Sequence, residues 1–138
     1  MRSQELGTMG EVYVARLLEG AGLAVAWDGP ADLVVGGVPV EVKTARPRQY
    51  RGDSSRLGFQ FCLSKPGHTD HRRAAIVILL AWWDPQADPV AFVVPSVRLG
   101  SRRKVTIPNR QPWMYDGWLA RWRGRWEVIA DSMMEVPG

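Results

Sequence analysis

Two carboxylates and an ammonium are spaced so that one tight turn brings them together. Asp32 precedes, and the tripeptide Glu41-Val42-Lys43 follows, the pair Gly36-Gly37. Gly-Gly suits a two-residue hairpin loop, because both positions accept positive φ. The register follows by counting: Val35 pairs with Val38, Val34 with Pro39, Leu33 with Val40, and Asp32 with Glu41. Directly opposed residues have Cβ atoms roughly 4.5–5.5 Å apart and like charges so placed repel, which makes this pair a poor choice for stability alone. A divalent cation between the acids removes the objection. Alternation along the strand puts Lys43 on the face of Glu41 and turns Val38, Val40, Val42 and Thr44 toward a core. This is the outline of a hydrolytic metal site. The plainer reading of the same residues is an exposed cross-strand ion cluster.

The elements around this hairpin follow from periodicity and turn residues. Ser3 caps a first helix running to about Leu18, with Gly20 and Gly22 as its stop. Leu6, Gly10, Tyr13, Val14, Leu17 and Leu18 share one stripe, and Glu11 falls beside it, placed to lean over a sheet edge. Leu23–Trp27 reads as a short strand before a Gly29-Pro30 turn. Ala45–Arg56 has no periodicity and reads as a mobile loop. Phe59, Phe61 and Leu63 alternate with Gly58, Gln60 and Cys62, giving a strand with Gln60 opposite its apolar side. The same alternation suggests that Cys62 packs. Ala74–Trp83 is nearly all apolar and reads as a strand buried on both faces, with Val90–Val94 as its antiparallel neighbour. A helical turn over Pro95–Gly100, a strand at Lys104–Ile107, a short helix over Asp116–Arg123 and an edge strand at Glu127–Ala130 complete the chain.

The 138 residues suffice for one compact domain, and residues 1–138 are read as a single unit. With 46% hydrophobic and 23% charged residues, wholesale disorder is not expected. The single cysteine, Cys62, excludes an internal disulfide and a cysteine zinc cluster. No stretch is apolar enough to cross a bilayer and the first residues lack the apolar core of a secretion signal, so a soluble, cytoplasmic protein is expected. Charge is uneven. Residues 43–73 hold eight Lys or Arg against two Asp, residues 98–125 hold eight against one, and the stretch before Lys43 is net acidic. A basic surface beside clustered carboxylates suits a polyanion held over a metal, although a solvated face on an Arg-rich protein accounts for the charge equally well.

A Glu in the first helix, an Asp opening one strand and Glu-x-Lys in its partner resemble the PD-(D/E)XK nuclease superfamily. Here these are Glu11, Asp32, Glu41 and Lys43. The run GEVYVARLLEGAGLAVAWDGPADLVVGGVPVEVKT is most similar to the archaeal and phage Holliday-junction resolvase branch. The later pattern of VKTA, GFQFCLSK, a buried strand and FVVPS is also similar to homing-endonuclease relatives. The resemblance implies an α/β, restriction-endonuclease-like core with a mixed central sheet flanked by helices. It implies Mg²⁺ or Mn²⁺ held by Asp32 and Glu41 with the Val42 carbonyl and Glu11. Lys43 would orient and help deprotonate water, and Gln60 would position water or phosphate. The activity implied is metal-dependent cleavage of DNA, first of a four-way junction by a homodimer. A sequence-specific restriction or homing endonuclease, or a DNA-binding module without catalysis, are the other readings.

Arg46, Arg48, Arg51 and Arg56, with Arg72 and Arg73, are placed to follow a phosphate backbone. His68 and His71 lie among loop-forming residues with no further His or Cys at hand, which favours a phosphate contact or a supporting role over zinc. Trp113, Trp118, Trp122 and Trp126 lie among Arg110, Arg121, Arg123 and Arg125. Trp118 and Trp122, one helical turn apart, are expected to pack on the sheet while the arginines stay in water; stacking on unpaired bases is the alternative.

Overall fold

The computed structural model describes residues 3–27, 31–50, 53–63 and 74–135. The first helix, α1 (Ser3–Gly20), precedes a two-residue strand, β1 (Val25–Ala26), and the hairpin of β2 (Leu33–Val35) and β3 (Val38–Ala45). Gly36 and Gly37 turn that hairpin with φ of 54° and 86°, the positive pair that a two-residue loop needs. The counted register holds: Val35 lies opposite Val38, Val34 opposite Pro39 and Leu33 opposite Val40. Two further strands, β4 (Arg48–Tyr50) and β5 (Asp53–Cys62), precede β6 (Ile76–Ala81) and β7 (Val90–Pro95). The chain ends with β8 (Lys104–Ile107) and a second helix, α2 (Glu127–Glu135).

The strands form a five-stranded sheet in the order β1-β2-β3-β6-β7 and a three-stranded sheet in the order β4-β5-β8. Only the β3–β6 pairing is parallel in the larger sheet, so the sheet is mixed. It is flanked on one face by helices. Strand β6 explains the layering: Ile76, Ile78 and Leu80 face one cluster with Val14, Leu18, Val40, Val42 and Ile129, so α1 and α2 lie on that side. Val77, Leu79 and Ala81 face a second cluster with Phe59, Phe61, Leu63, Val105 and Ile107, so the smaller sheet lies on the other. A strand apolar at every position is what burial on both faces requires.

Five local expectations change. Glu127–Ala130 belongs to helix α2 rather than to an edge strand. Val128 and Ile129 favour extended backbone, but Ala130, Met133, Met134 and Glu135 are strong helix formers, and Met133 packs against Gly36 at the hairpin turn. Arg48–Tyr50 and Asp53 onward pair as a hairpin where a loop was read, with a register irregularity between Gln49 and Tyr50. Its polar, aperiodic residues concealed a ladder made by backbone groups and interrupted by a bulge. Asp116–Arg123 contains only a 3-10 turn at Ala120–Trp122. Cys62 is exposed, since Phe59, Phe61 and Leu63 take the inward positions of β5. On α1, Gly10, Val14, Ala15 and Leu18 are buried, whereas Leu17 is 40% exposed and Tyr13 half-buried.

At Gly10, α1 lies close against β3. A Cβ there would strike Thr44 Oγ1 and stand 3.2 Å from both Thr44 Cβ and Leu80 Cδ1. The Thr44 hydroxyl is buried without a hydrogen-bond partner among the described residues, and with Thr44 Cβ and Leu80 Cδ1 both closing on the added methyl there is no open space for it to enter. Gly10→Ala would ordinarily gain about 1 kcal/mol of helix propensity. Here overpacking reverses the sign: urea denaturation is expected to show a net loss of about 1–3 kcal/mol, largely recovered in Gly10→Ala/Thr44→Ala.

Candidate active site

The hairpin ends where its chemistry begins. After Leu33 opposite Val40, Asp32 would be the next residue in the ladder, and its side chain takes over from the backbone: Val42 N–H donates to Asp32 Oδ2 at 2.9 Å. In extended backbone the N–H and C=O of one residue point to the same side, so the Val42 carbonyl is directed toward Asp32 as well. Glu41 and Lys43, on the opposite face from Val40 and Val42, lie beside Val77 and Leu79 in the parallel pairing with β6. Lys43 Nζ stands 3.3 Å from Glu41 Oε1, with the glutamate side chain 10% and the lysine side chain 24% exposed.

Glu11 reaches this group from α1. Burial raises its carboxyl above the usual range first, the Asp32 charge and a hydrogen bond with Asp32 raise it further, and only the Lys43 charge opposes. Glu41 is shifted further, to about 7, again by burial first and then by the Asp32 charge, against the lowering effect of Lys43. Three acids therefore share one ammonium, and a proton between them relieves the repulsion. Glu41 is also the one charged residue in the buried set of described residues. Such a group is costly to the fold, and clustered perturbed carboxylates are more common at functional sites than elsewhere.

The donor chemistry fits a hard divalent cation. Asp32 keeps Oδ1 outside the bond to Val42, Glu41 supplies a second carboxylate, and the Val42 carbonyl adds a neutral oxygen. The acids do not form a closed cage, because no group of three or more His, Cys, Asp or Glu among the described residues is set to hold a metal. Asp32 and Glu41 would be the principal ligands, with Glu11 bracing Asp32. An open set of two carboxylates suits Mg²⁺, which keeps much of its water.

The other candidates are placed less centrally. Gln60 is half-buried in β5, paired with Thr106 of β8, and makes no hydrogen bond with the carboxylates or Lys43. Arg46 and Arg48 are exposed, just beyond β3 and in β4. Arg51, Arg72 and Arg73, the side chain of Arg56, and His68 and His71 lie outside the described residues. Trp118 does not pack on the sheet: it is 44% exposed, with the Arg102 guanidinium 4.5 Å from its ring centroid. Trp122 is half-buried, with Arg121 at 4.8 Å. Arg123 turns inward and donates to the carbonyls of Trp113 and Tyr115. That inward arginine had no signal in the sequence, where it read as one of a solvated run.

No protein-family model and no curated protein matches this sequence. In structure the chain is similar to a bacterial homing endonuclease, I-Ssp6803I, with a TM-score of 0.69 over 97% of this chain and 95% of that one. The two share one fold. At 12% identity the likeness is one of architecture. It extends across both sheets rather than stopping at the hairpin, which places the second half of the chain in the same fold.

The Glu41 shift fixes a pH dependence. Between about pH 4.5 and about 7 the folded protein holds a proton that the unfolded chain has released, so this group's contribution to stability falls as pH rises through that window and is level above it. In EDTA, Glu41→Gln is therefore expected to raise the melting temperature more at pH 8 than at pH 5. An equal gain at both values would show that Glu41 titrates normally.

Proposed function

We propose that this chain is a metal-dependent endodeoxyribonuclease of the PD-(D/E)XK type, using Mg²⁺ or Mn²⁺ held by Asp32 and Glu41. The observation that carries the reading is the convergence of Glu11, Asp32, Glu41 and Lys43 at the open end of one hairpin, at a burial that makes their mutual repulsion expensive. The cation supplies Lewis acidity toward the scissile phosphate and a more acidic water. The chain's own residues do the rest. Val42 N–H fixes the Asp32 carboxylate before substrate arrives. Lys43 holds a positive charge beside Glu41, placed to orient an attacking water and to offset charge gathering on phosphate oxygens. The exposed Arg46 and Arg48 lead away from the end of β3 and would follow the backbone of the bound strand.

Between the two substrate classes, homing-type cleavage at a defined sequence is supported better than junction resolution. The structural likeness is to a homing endonuclease and includes the three-stranded sheet. On the side of that sheet away from the apolar cluster, Gln60 lies beside Thr106 and Cys62 beside Lys104. Gln, Thr and Lys are groups that bond base edges in a major groove. A resolvase has less use for them, since it reads shape. Linear duplex libraries and a synthetic four-way junction, offered together with Mg²⁺, separate the readings: recovery of cut sites with a common sequence favours the first, and preferential junction cleavage favours the second.

Two expectations test the chemistry. Asp32→Asn keeps an oxygen for Val42 but loses the charge, and Lys43→Met keeps bulk but loses the ammonium; each is expected to lower Mg²⁺-dependent cleavage by roughly 10²-fold or more while DNA binding persists. A parent protein that binds DNA and never cuts it in any divalent metal would identify a binding module instead. For the arginines, Arg46→Ala and Arg48→Ala should each weaken binding without changing sequence preference and reduce the log–log salt slope by about 0.9 in fluorescence anisotropy titrations.

A further inference from the structure

The segment that joins β7 to β8 is basic without relief. From Pro95 to Tyr115 the sequence holds Arg98, Arg102, Arg103, Lys104 and Arg110 and no acid. All five are exposed, and among the described residues none is ion-paired to a carboxylate. Like charges gathered in so short a stretch repel, and folding does not call for them. The residues that dock this segment on the core are Leu99, Val105 and Ile107.

One of the five is built into place. Arg102 Nη1 donates to the carbonyls of Arg98 at 3.4 Å and Leu99 at 3.2 Å, and the guanidinium carbon stands 4.5 Å from the centroid of the exposed Trp118 ring. An exposed arginine ordinarily keeps its rotamer freedom, which these three contacts remove in advance. They leave one edge of the guanidinium unused, because Nε and Nη2 have no partner among the described residues. That edge carries two parallel N–H donors, the fork that takes a phosphate bidentately.

The occupant follows from what adjoins the turn. Lys104 opens β8 and is paired with Cys62, and two residues along Thr106 is paired with Gln60, so the basic turn runs directly into the polar face of the β5–β8 ribbon. Two residues of antiparallel strand advance about 6.8 Å, the same as two base-pair steps of roughly 3.4 Å. A major groove, about 12 Å wide, admits a two-stranded ribbon. A free phosphate or a lipid headgroup would use the turn alone, whereas a DNA duplex uses both parts, with phosphates on the turn and base edges on the ribbon.

We propose that the β7–β8 turn is a backbone clamp for duplex DNA, with Arg102 as its phosphate fork and Trp118 as the platform that positions it, and that the clamp seats the β5–β8 ribbon in the major groove. The proposal rests on the DNA reading above and adds a contact surface separate from Arg46 and Arg48. Arg98 and Arg103 neutralise neighbouring phosphates, and Lys104 stands where backbone contact gives way to base contact.

Binding of a mixed-sequence duplex to the whole chain in EDTA, followed by fluorescence anisotropy against salt, tests the clamp. Arg102→Gln/Arg103→Gln is expected to weaken binding by about tenfold or more at low salt and to reduce the log–log slope by about 1.8. Trp118→Leu removes the platform and no charge, so binding should weaken by about threefold or more at an unchanged slope, and Trp118→Phe should recover it. Cys62, the single cysteine and exposed, reports on the ribbon in the parent protein. With duplex at about ten times its dissociation constant only about a tenth of the protein is free, and alkylation of Cys62 by N-ethylmaleimide should slow by about fivefold or more. An unchanged slope in the double arginine variant, a Cys62 as reactive in the complex as alone, or a preference for single strands or phosphatidylserine vesicles over duplex would overturn the proposal. Cleavage is read separately in Mg²⁺. DNA that is cut while Cys62 stays reactive sinks the clamp and leaves the nuclease reading standing, and DNA that protects Cys62 but is never cut does the reverse.

Discussion

Like charge held out of water is the constraint around which the first half of this chain is arranged. Asp32 and Glu41 are brought together by the turn at Gly36 and Gly37, and burial first, with the Asp32 charge behind it, pushes the Glu41 carboxyl up to about 7. Each surrounding element has a part in sustaining it. Val42 offers its amide to Asp32, so one acid is fixed by a backbone donor where the ladder would otherwise end. The β6 strand, apolar throughout, anchors β3 from the other side through six parallel pairs. Gly10 lets α1 sit close enough for Glu11 to join the group. A hairpin with one acid and one base at these positions would be more stable than this cluster of like charge.

Much of this was legible in the sequence, for a local reason. A two-residue Gly-Gly loop fixes register without reference to the rest of the molecule, so the opposition of Leu33 to Val40, and hence the approach of Asp32 to Glu41, follows from counting. The doubly buried strand and its antiparallel partner were equally plain, because uninterrupted apolar residues with β-branching admit few other readings. Glu11 was placed at the sheet edge by helical phase alone, and the structure brings it to Asp32 there.

What escaped the sequence depended on partners far away in the chain. The β4 strand has polar residues on both faces and a bulge, so its pairing with β5 leaves no periodic trace. Helix α2 opens on Val128 and Ile129, whose strand preference is overridden by burial against the larger sheet and by the seat of Met133 over Gly36. Trp118 was read as a core residue from its spacing to Trp122, but the segment lacks a helix, and the ring lies at the surface under Arg102. In each case the backbone conformation was set by what it docks on rather than by its own residues.

The route between the two parallel strands has a consequence for how such a protein can diversify. Strands β3 and β6 are side by side and parallel, and among the described residues the chain between them forms the β4–β5 hairpin. The excursion leaves at Ala45, level with Ala81, and returns at Ile76, level with Val40, so the central sheet fixes its two ends about a strand length apart. Its length and outward side chains can drift or be exchanged while those two ends stay fixed, because the entropy of a longer excursion grows only logarithmically. The smaller sheet can therefore change while the larger one is kept.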